Sequence, residues 1–361
     1  MSEGLSKKIS IYNFIFTIGI VIYHCKNFNI LFSRQTNVFL DKVYNLYDLI
    51  GYISMGFFFM LSAYLFYVGL ENKSDIYRKI KKRLFTLGIP FLAWNCIFLL
   101  YEIFYGIIKS NLKISIFDLI WGFTFKPFDG PLWYVLALLL LMLIAPIVFK
   151  LKNRPNVLLG IVVGVLVGSN IWKICVVPEN ATVEWISRLV MYLPFYFLGT
   201  YLGLCKSDVV SKGKYNYKLV HIISICISIV IIAYFVFWKQ NVLILDNVLL
   251  FILPIAIWLS TNNSLYEKIK IRYPLKVTFF IYAMHMLLIG IMNTVLTKLI
   301  GYGSLPPMVS FFAHFVFVAV LYGICLAVAY VTGKILPSKI YFALSGGRVV
   351  GSKKNDDAHA K

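Results

Sequence analysis

The sequence predicts an all-α, polytopic integral membrane bundle of about ten transmembrane helices, and two observations carry that expectation. Sixty per cent of the 361 residues are hydrophobic and only 14% are charged, with a mean hydropathy of +0.81; a soluble domain carries roughly a quarter charged residues. Apolar runs of about 18 to 25 residues, the length needed to cross a bilayer core, recur from end to end between short charged loops. A soluble globular fold is excluded.

In chain order the apolar runs fall near residues 9–30, 49–70, 84–108, 131–149, 157–178, 185–204, 219–238, 243–259, 277–299 and 308–333. The first follows the basic start MSEGLSKKISIYNF and is not closed by a small-residue cleavage pattern, so the span is expected to be retained. An even number of spans places both termini on one side. Of the 35 Lys and Arg, 25 fall on that side: Lys7 and Lys8, six over residues 73–83, three at 150–154, four at 206–218, four at 268–276 and six from Lys334 onward. This asymmetry in short loops predicts a multi-pass protein with both termini cytoplasmic. It also accounts for the net charge of +20 without a nucleic-acid partner.

The longer loops near 31–48 and 109–130 are assigned to the outside, and ISIFDLIWGF in the second is amphipathic enough to lie at the interface. Residues 1–340 read as one membrane domain. Residues 341–361, ending GGRVVGSKKNDDAHAK, read as a flexible cytoplasmic tail. The six cysteines form no CxxC pair, and neither a zinc site nor a disulfide framework is indicated.

Polar side chains at membrane depth are costly and mark candidate sites. His24 lies eleven residues after Asn13; at 100° per residue the two return to within roughly 20° of one face, about 16 Å apart. Thr17 shares that stripe. Imidazole is the side chain best suited to general-base work near neutral pH. His221, His285, His314, Asn95, Glu102, Ser169, Asn170, Arg188 and Asp246 are further intramembrane candidates, read mainly as glue between helices or as interface residues. The soluble-enzyme motifs GxSxG, GxxxxGK[ST], HExxH and GxGxxG are absent.

Several segments in order resemble the membrane acyltransferase 3 family, bacterial integral-membrane O-acyltransferases of surface glycans. They are IVIYHC closing the first span, GYISMGFFFMLSAYLFYVGL, IKKRLFTLGIPFLAWN, GPLWYVLALLLLMLIAPIV, PFYFLGTYLG and FFIYAMHMLLI. The likeness covers roughly residues 9–335. Asn13 stands where that family usually has arginine, Ala63 where glycine is usual, and Thr86 where a second basic residue would complete an RxxR pattern.

The resemblance implies transfer of an acyl group, most often acetyl, from cytoplasmic acyl-CoA as co-substrate to a hydroxyl of a lipid-linked or assembled surface sugar. In that reading His24 and Asn13 are the catalytic candidates, with His24 as base. Lys79, Lys82 and Arg83 would hold the CoA phosphates, and Trp133, Tyr282 and His285 would contact substrate. The alternative is a polytopic transporter or flippase for a glycan or lipid-linked precursor.

Overall fold

The computed structural model describes residues 2–26, 28, 38–108, 115–206, 217–238, 243–301 and 303–347. Among them there is no β-strand, and nine helices are long and apolar enough to cross a membrane. A tenth apolar helix, Ile244–Leu259, is shorter. The polytopic helical membrane bundle expected from the sequence is the observed fold.

Helix α1 (Glu3–His24) opens on Ser2, whose hydroxyl accepts the Leu5 amide at 3.3 Å and satisfies one of the free first-turn donors. Helix α2 (Val38–Tyr67) leads into α3 (Lys73–Arg83), which starts in a capping box between Asn72 and Asp75. A π turn, Leu84–Gly88, joins α3 to α4 (Ile89–Ile108). Pro90 has no amide to offer the Thr86 carbonyl, and the backbone widens there instead of continuing as a regular helix. Helix α5 (Ile116–Thr124) is the amphipathic ISIFDLIWGF segment, with Ile116, Phe117, Ile120 and Trp121 exposed.

The next span is broken into a 3₁₀ turn (Gly130–Leu132), α6 (Trp133–Leu141), a second 3₁₀ turn (Met142–Ile144) and α7 (Ala145–Phe149), the last break preceding Pro146. Helices α8 (Pro155–Cys175), α9 (Ala181–Cys205), α10 (Tyr217–Ala233) and α11 (Leu243–Leu259) follow. After short turns come α12 (Tyr273–Lys276), α13 (Thr278–Ile300), α14 (Pro307–Ile335) and α15 (Ser338–Ser345).

Helix α2 is the centre of the bundle. It lies so close to α9 that a Cβ on Gly199 would come within 2.0 Å of the Met60 carbonyl oxygen. The FLG motif is therefore a close-packing device, as small residues at membrane helix crossings generally are. Three lysines cap helix ends through carbonyls. Lys8 Nζ donates to Trp258 O and Thr261 O at 2.7 Å, Lys79 Nζ to Phe66 O at 2.8 Å and Val68 O at 2.5 Å, and Lys152 Nζ to Leu70 O at 2.6 Å. The C-terminal end of a helix carries partial negative charge, so each cation is matched by the dipole.

Two expected boundaries move. Residues 38–48, read as an outer loop, belong to α2, whose Asp41, Lys42 and Asp48 interrupt the apolar pattern without ending the helix. The tail expected from residue 341 does not begin there: Tyr341 and Ser345 of α15 are buried, and Trp94 Nε1 donates to Leu344 O at 3.0 Å. Gly346 ends α15 at φ 68°, a left-handed cap that glycine adopts readily. Residues 348–361 lie outside the described residues.

Candidate functional site

A cavity of about 440 Å³ opens among α1, α2, α6, α13 and the ends of α3 and α15. Asn13 and Thr17 face it from α1, Phe58, Leu61, Ser62 and Leu65 from α2, and Tyr134 and Leu138 from α6. Thr278, Phe279 and Tyr282 close it from α13, and Ser345 and Gly346 from the end of α15. The π turn delivers Thr86 and Leu87 to the wall. The same turn seats α15, because a Cβ on Gly346 would meet Thr86 O at 2.5 Å.

The cationic wall consists of Lys82 and Arg83. Arg83 Nη2 donates to Ser62 O at 3.0 Å, and its guanidinium lies 5.8 Å from the Phe66 ring centre. Ser62 in turn shares a 2.8 Å hydrogen bond with the Tyr134 hydroxyl, which also donates to Phe58 O at 3.0 Å. Guanidinium and phenol are thus both anchored to one stretch of α2. Lys79 is not part of the cavity wall. Its ammonium is spent on the carbonyls that end α2, and the expected three-cation cluster is reduced to two.

At its inner end the cavity meets a file of rings. Tyr134 and Tyr282 stand 6.1 Å apart between centroids, Tyr282 and His285 6.0 Å, and His285 and His24 5.1 Å. The Tyr282 hydroxyl donates to Pro131 O. His285 Nδ1 lies 2.6 Å from the Tyr282 carbonyl oxygen, an acceptor, which assigns the proton to Nδ1 and leaves Nε2 as the lone-pair nitrogen. Nε2 is buried and has no hydrogen-bond partner. His24 is not at the end of the bundle. Its neighbour Tyr23 packs against Gly51 of α2, and α2 continues thirteen residues further to Val38, about 20 Å at the helical rise.

His24, Asn13, Lys82, Arg83, Tyr282 and His285 therefore gather at or directly behind one cavity. Trp133 does not. It is packed against Phe59 and Tyr192 at 5.8 and 5.7 Å, and the cavity takes the next residue, Tyr134, because successive helical side chains differ by about 100° in direction. Sequence reasoning also missed Ser62, Thr278 and the end of α15. Ser62 and Thr278 are small hydroxyls in apolar runs and carry no distinctive pattern.

Other intramembrane polar residues serve packing. Asn247 Nδ2 donates to Asn170 Oδ1 at 3.0 Å, Lys173 Nζ to Asn247 Oδ1 at 2.9 Å, and Tyr234 to Asp246 Oδ1 at 2.9 Å. Arg188 pairs with Glu184, Ser169 donates to Leu166 O, and His221 bonds Leu259 O. His314 is stacked on Tyr47 at 4.5 Å.

Fold and site together define a polytopic membrane protein with a cation-walled cavity ending at a histidine pair. A family model described as an acyltransferase domain matches residues 14–333, nearly the whole chain. The chain belongs to this acyltransferase 3 family and is a membrane acyltransferase. Comparison with curated proteins and with solved structures gave no match.

Proposed function

We propose that the protein transfers an acyl group, acetyl in the first instance, from acyl-CoA to a hydroxyl of a cell-surface or lipid-linked polysaccharide. The observation that carries this reading is the continuity from Arg83 through Tyr134 and Tyr282 to the His285 and His24 rings. The donor enters from the cytoplasmic face, where both termini lie. Its phosphates are held by Lys82 and Arg83, and its pantetheine arm runs between Leu61, Leu65 and Leu138.

A sugar hydroxyl is a weak nucleophile until a base removes its proton. His24 takes that proton as the hydroxyl oxygen attacks the thioester carbon. The His285 ring stands beside His24 with its tautomer fixed by the Tyr282 carbonyl, and it holds the His24 ring in place for that transfer. Asn13 lies about 16 Å from His24 along α1 and contacts the donor rather than the reacting atoms. The test is the acyl content of cell-surface glycan in cells with and without the protein. Equal content in both overturns the acceptor, while movement of intact glycan without acylation supports a transporter instead.

A further inference from the structure

Asp129 has no part in the transfer step proposed above. Asp129 is fully enclosed, at 0% exposure, and neither carboxyl oxygen has a hydrogen-bond partner. The other buried acids differ. Asp75 receives the amides of Glu71 and Asn72 and pairs with Arg78, and Asp246 receives the Tyr234 hydroxyl.

A capping role does not explain Asp129. It occupies the N-cap of the turn Gly130–Leu132, but its side chain makes no cap bond, and only its backbone carbonyl is used, by the Leu132 amide at 2.9 Å. Among the described residues no cation pairs with it, and it directly precedes the membrane span that starts at Gly130. Burial pushes its carboxyl well above the usual carboxylate range. A protonated carboxyl is a hydrogen-bond donor.

Asp129 lies two residues before Pro131, whose carbonyl oxygen accepts the Tyr282 hydroxyl. Tyr282 lines the inner end of the cavity. One turn further on α13 stands His285, with His24 beside it.

We propose that Asp129 is a further catalytic residue, donating a hydrogen bond from a neutral carboxylic acid to the thioester carbonyl oxygen as that oxygen becomes negative; this rests on the acyl-transfer reading. In the step, the acceptor oxygen forms a C–O bond to the thioester carbon, its proton passes to His24, and the carbonyl electron pair moves onto oxygen. Collapse restores the carbonyl and breaks the C–S bond. The CoA thiolate leaves and takes the proton back from the imidazolium, while Asp129 keeps its own proton throughout. A neutral acid in an apolar site is a suitable donor because charge on the oxyanion is not opposed by charge on the protein.

The experiment measures acyl transfer from radiolabelled acetyl-CoA in membrane vesicles for Asp129→Ala and Asp129→Asn, with thermal unfolding of each full-length protein in detergent. Loss of one oxyanion donor typically lowers kcat by about 10² to 10³. Asp129→Ala is expected to show that loss with KM for the donor within about threefold of the parent, the shift expected when an interaction made only in the transition state is removed. Its melting temperature should hold or rise, because an unpaired buried polar group has been removed. Asp129→Asn, whose amide can still donate, should retain at least tenfold more kcat than Ala, since one donor is worth more than that.

Full kcat in Asp129→Ala, an Asn variant no better than Ala, or a loss of activity matched by a fall in melting temperature would each overturn the assignment. Absence of any transfer by the unsubstituted protein would overturn the acyl-transfer reading itself. Activity of the parent combined with a fully active Ala variant would remove Asp129 alone.

Discussion

Lys79 and Arg83 lie four residues apart on one helix, and the structure predicts opposite consequences for neutralising them. Lys79 Nζ serves the carbonyls of Phe66 and Val68 at the end of α2. A hydrogen bond to a charged group is worth about 1.5 to 3 kcal/mol, and desolvating the ammonium offsets part of that. Lys79→Gln should therefore cost about 2 kcal/mol of stability and leave donor affinity unchanged. Arg83 faces the cavity. Arg83→Gln loses a charge-assisted contact of about 1.5 to 3 kcal/mol to a donor phosphate, which raises KM for acyl-CoA by about 10- to 100-fold. The assay is initial rate against acyl-CoA concentration in vesicles, paired with thermal unfolding in detergent. A Lys79→Gln protein with unchanged stability and an Arg83-like rise in KM would refute the division of roles.

Three further outcomes follow from the same geometry. Gly199→Ala places a Cβ within 2.0 Å of Met60 O and should cost about 1 to 3 kcal/mol by forcing α2 and α9 apart, seen as a lowered melting temperature. Tyr134→Phe removes the hydroxyl shared with Ser62 and Phe58 O and should raise donor KM. Trp133→Phe, outside the cavity wall, should lower stability with donor KM unchanged; kinetics of both proteins in vesicles check the pair. Single cysteines at position 206 and position 117 of an otherwise cysteine-free protein should react with impermeant reagent only from the inside and only from the outside, respectively; labelling of position 206 in intact cells would reverse the orientation.

The bundle was legible because membrane spans announce themselves by length and apolarity, which a bilayer demands whatever the tertiary contacts. Pro90 and Pro146 stand next to two of the departures from regular helix, whereas Pro194 and Pro254 lie inside helices. The start of α2 was hidden because Asp41, Lys42 and Asp48 look like loop residues until the helix is seen projecting beyond the core. Asn13 and Thr17 share the cavity wall, and the spacing of α1 gave no sign that the His285 ring centre lies 5.1 Å from that of His24, a contact made across 261 residues of chain. Lys79 was misjudged because a sequence shows a cation's sign and not its acceptors. Asp129 sits in FDGPL, which reads as an ordinary turn, and only its burial distinguishes it.

The most direct test of the account is acyl transfer from labelled acetyl-CoA by His24→Ala in membrane vesicles, with protein abundance matched to the parent. Loss of a general base lowers the rate by about 10² to 10⁴, and α1 carries no second imidazole to take its place. The account predicts loss of transfer in that range with acyl-CoA binding retained. A His24→Ala protein that transfers at the parental rate would contradict it.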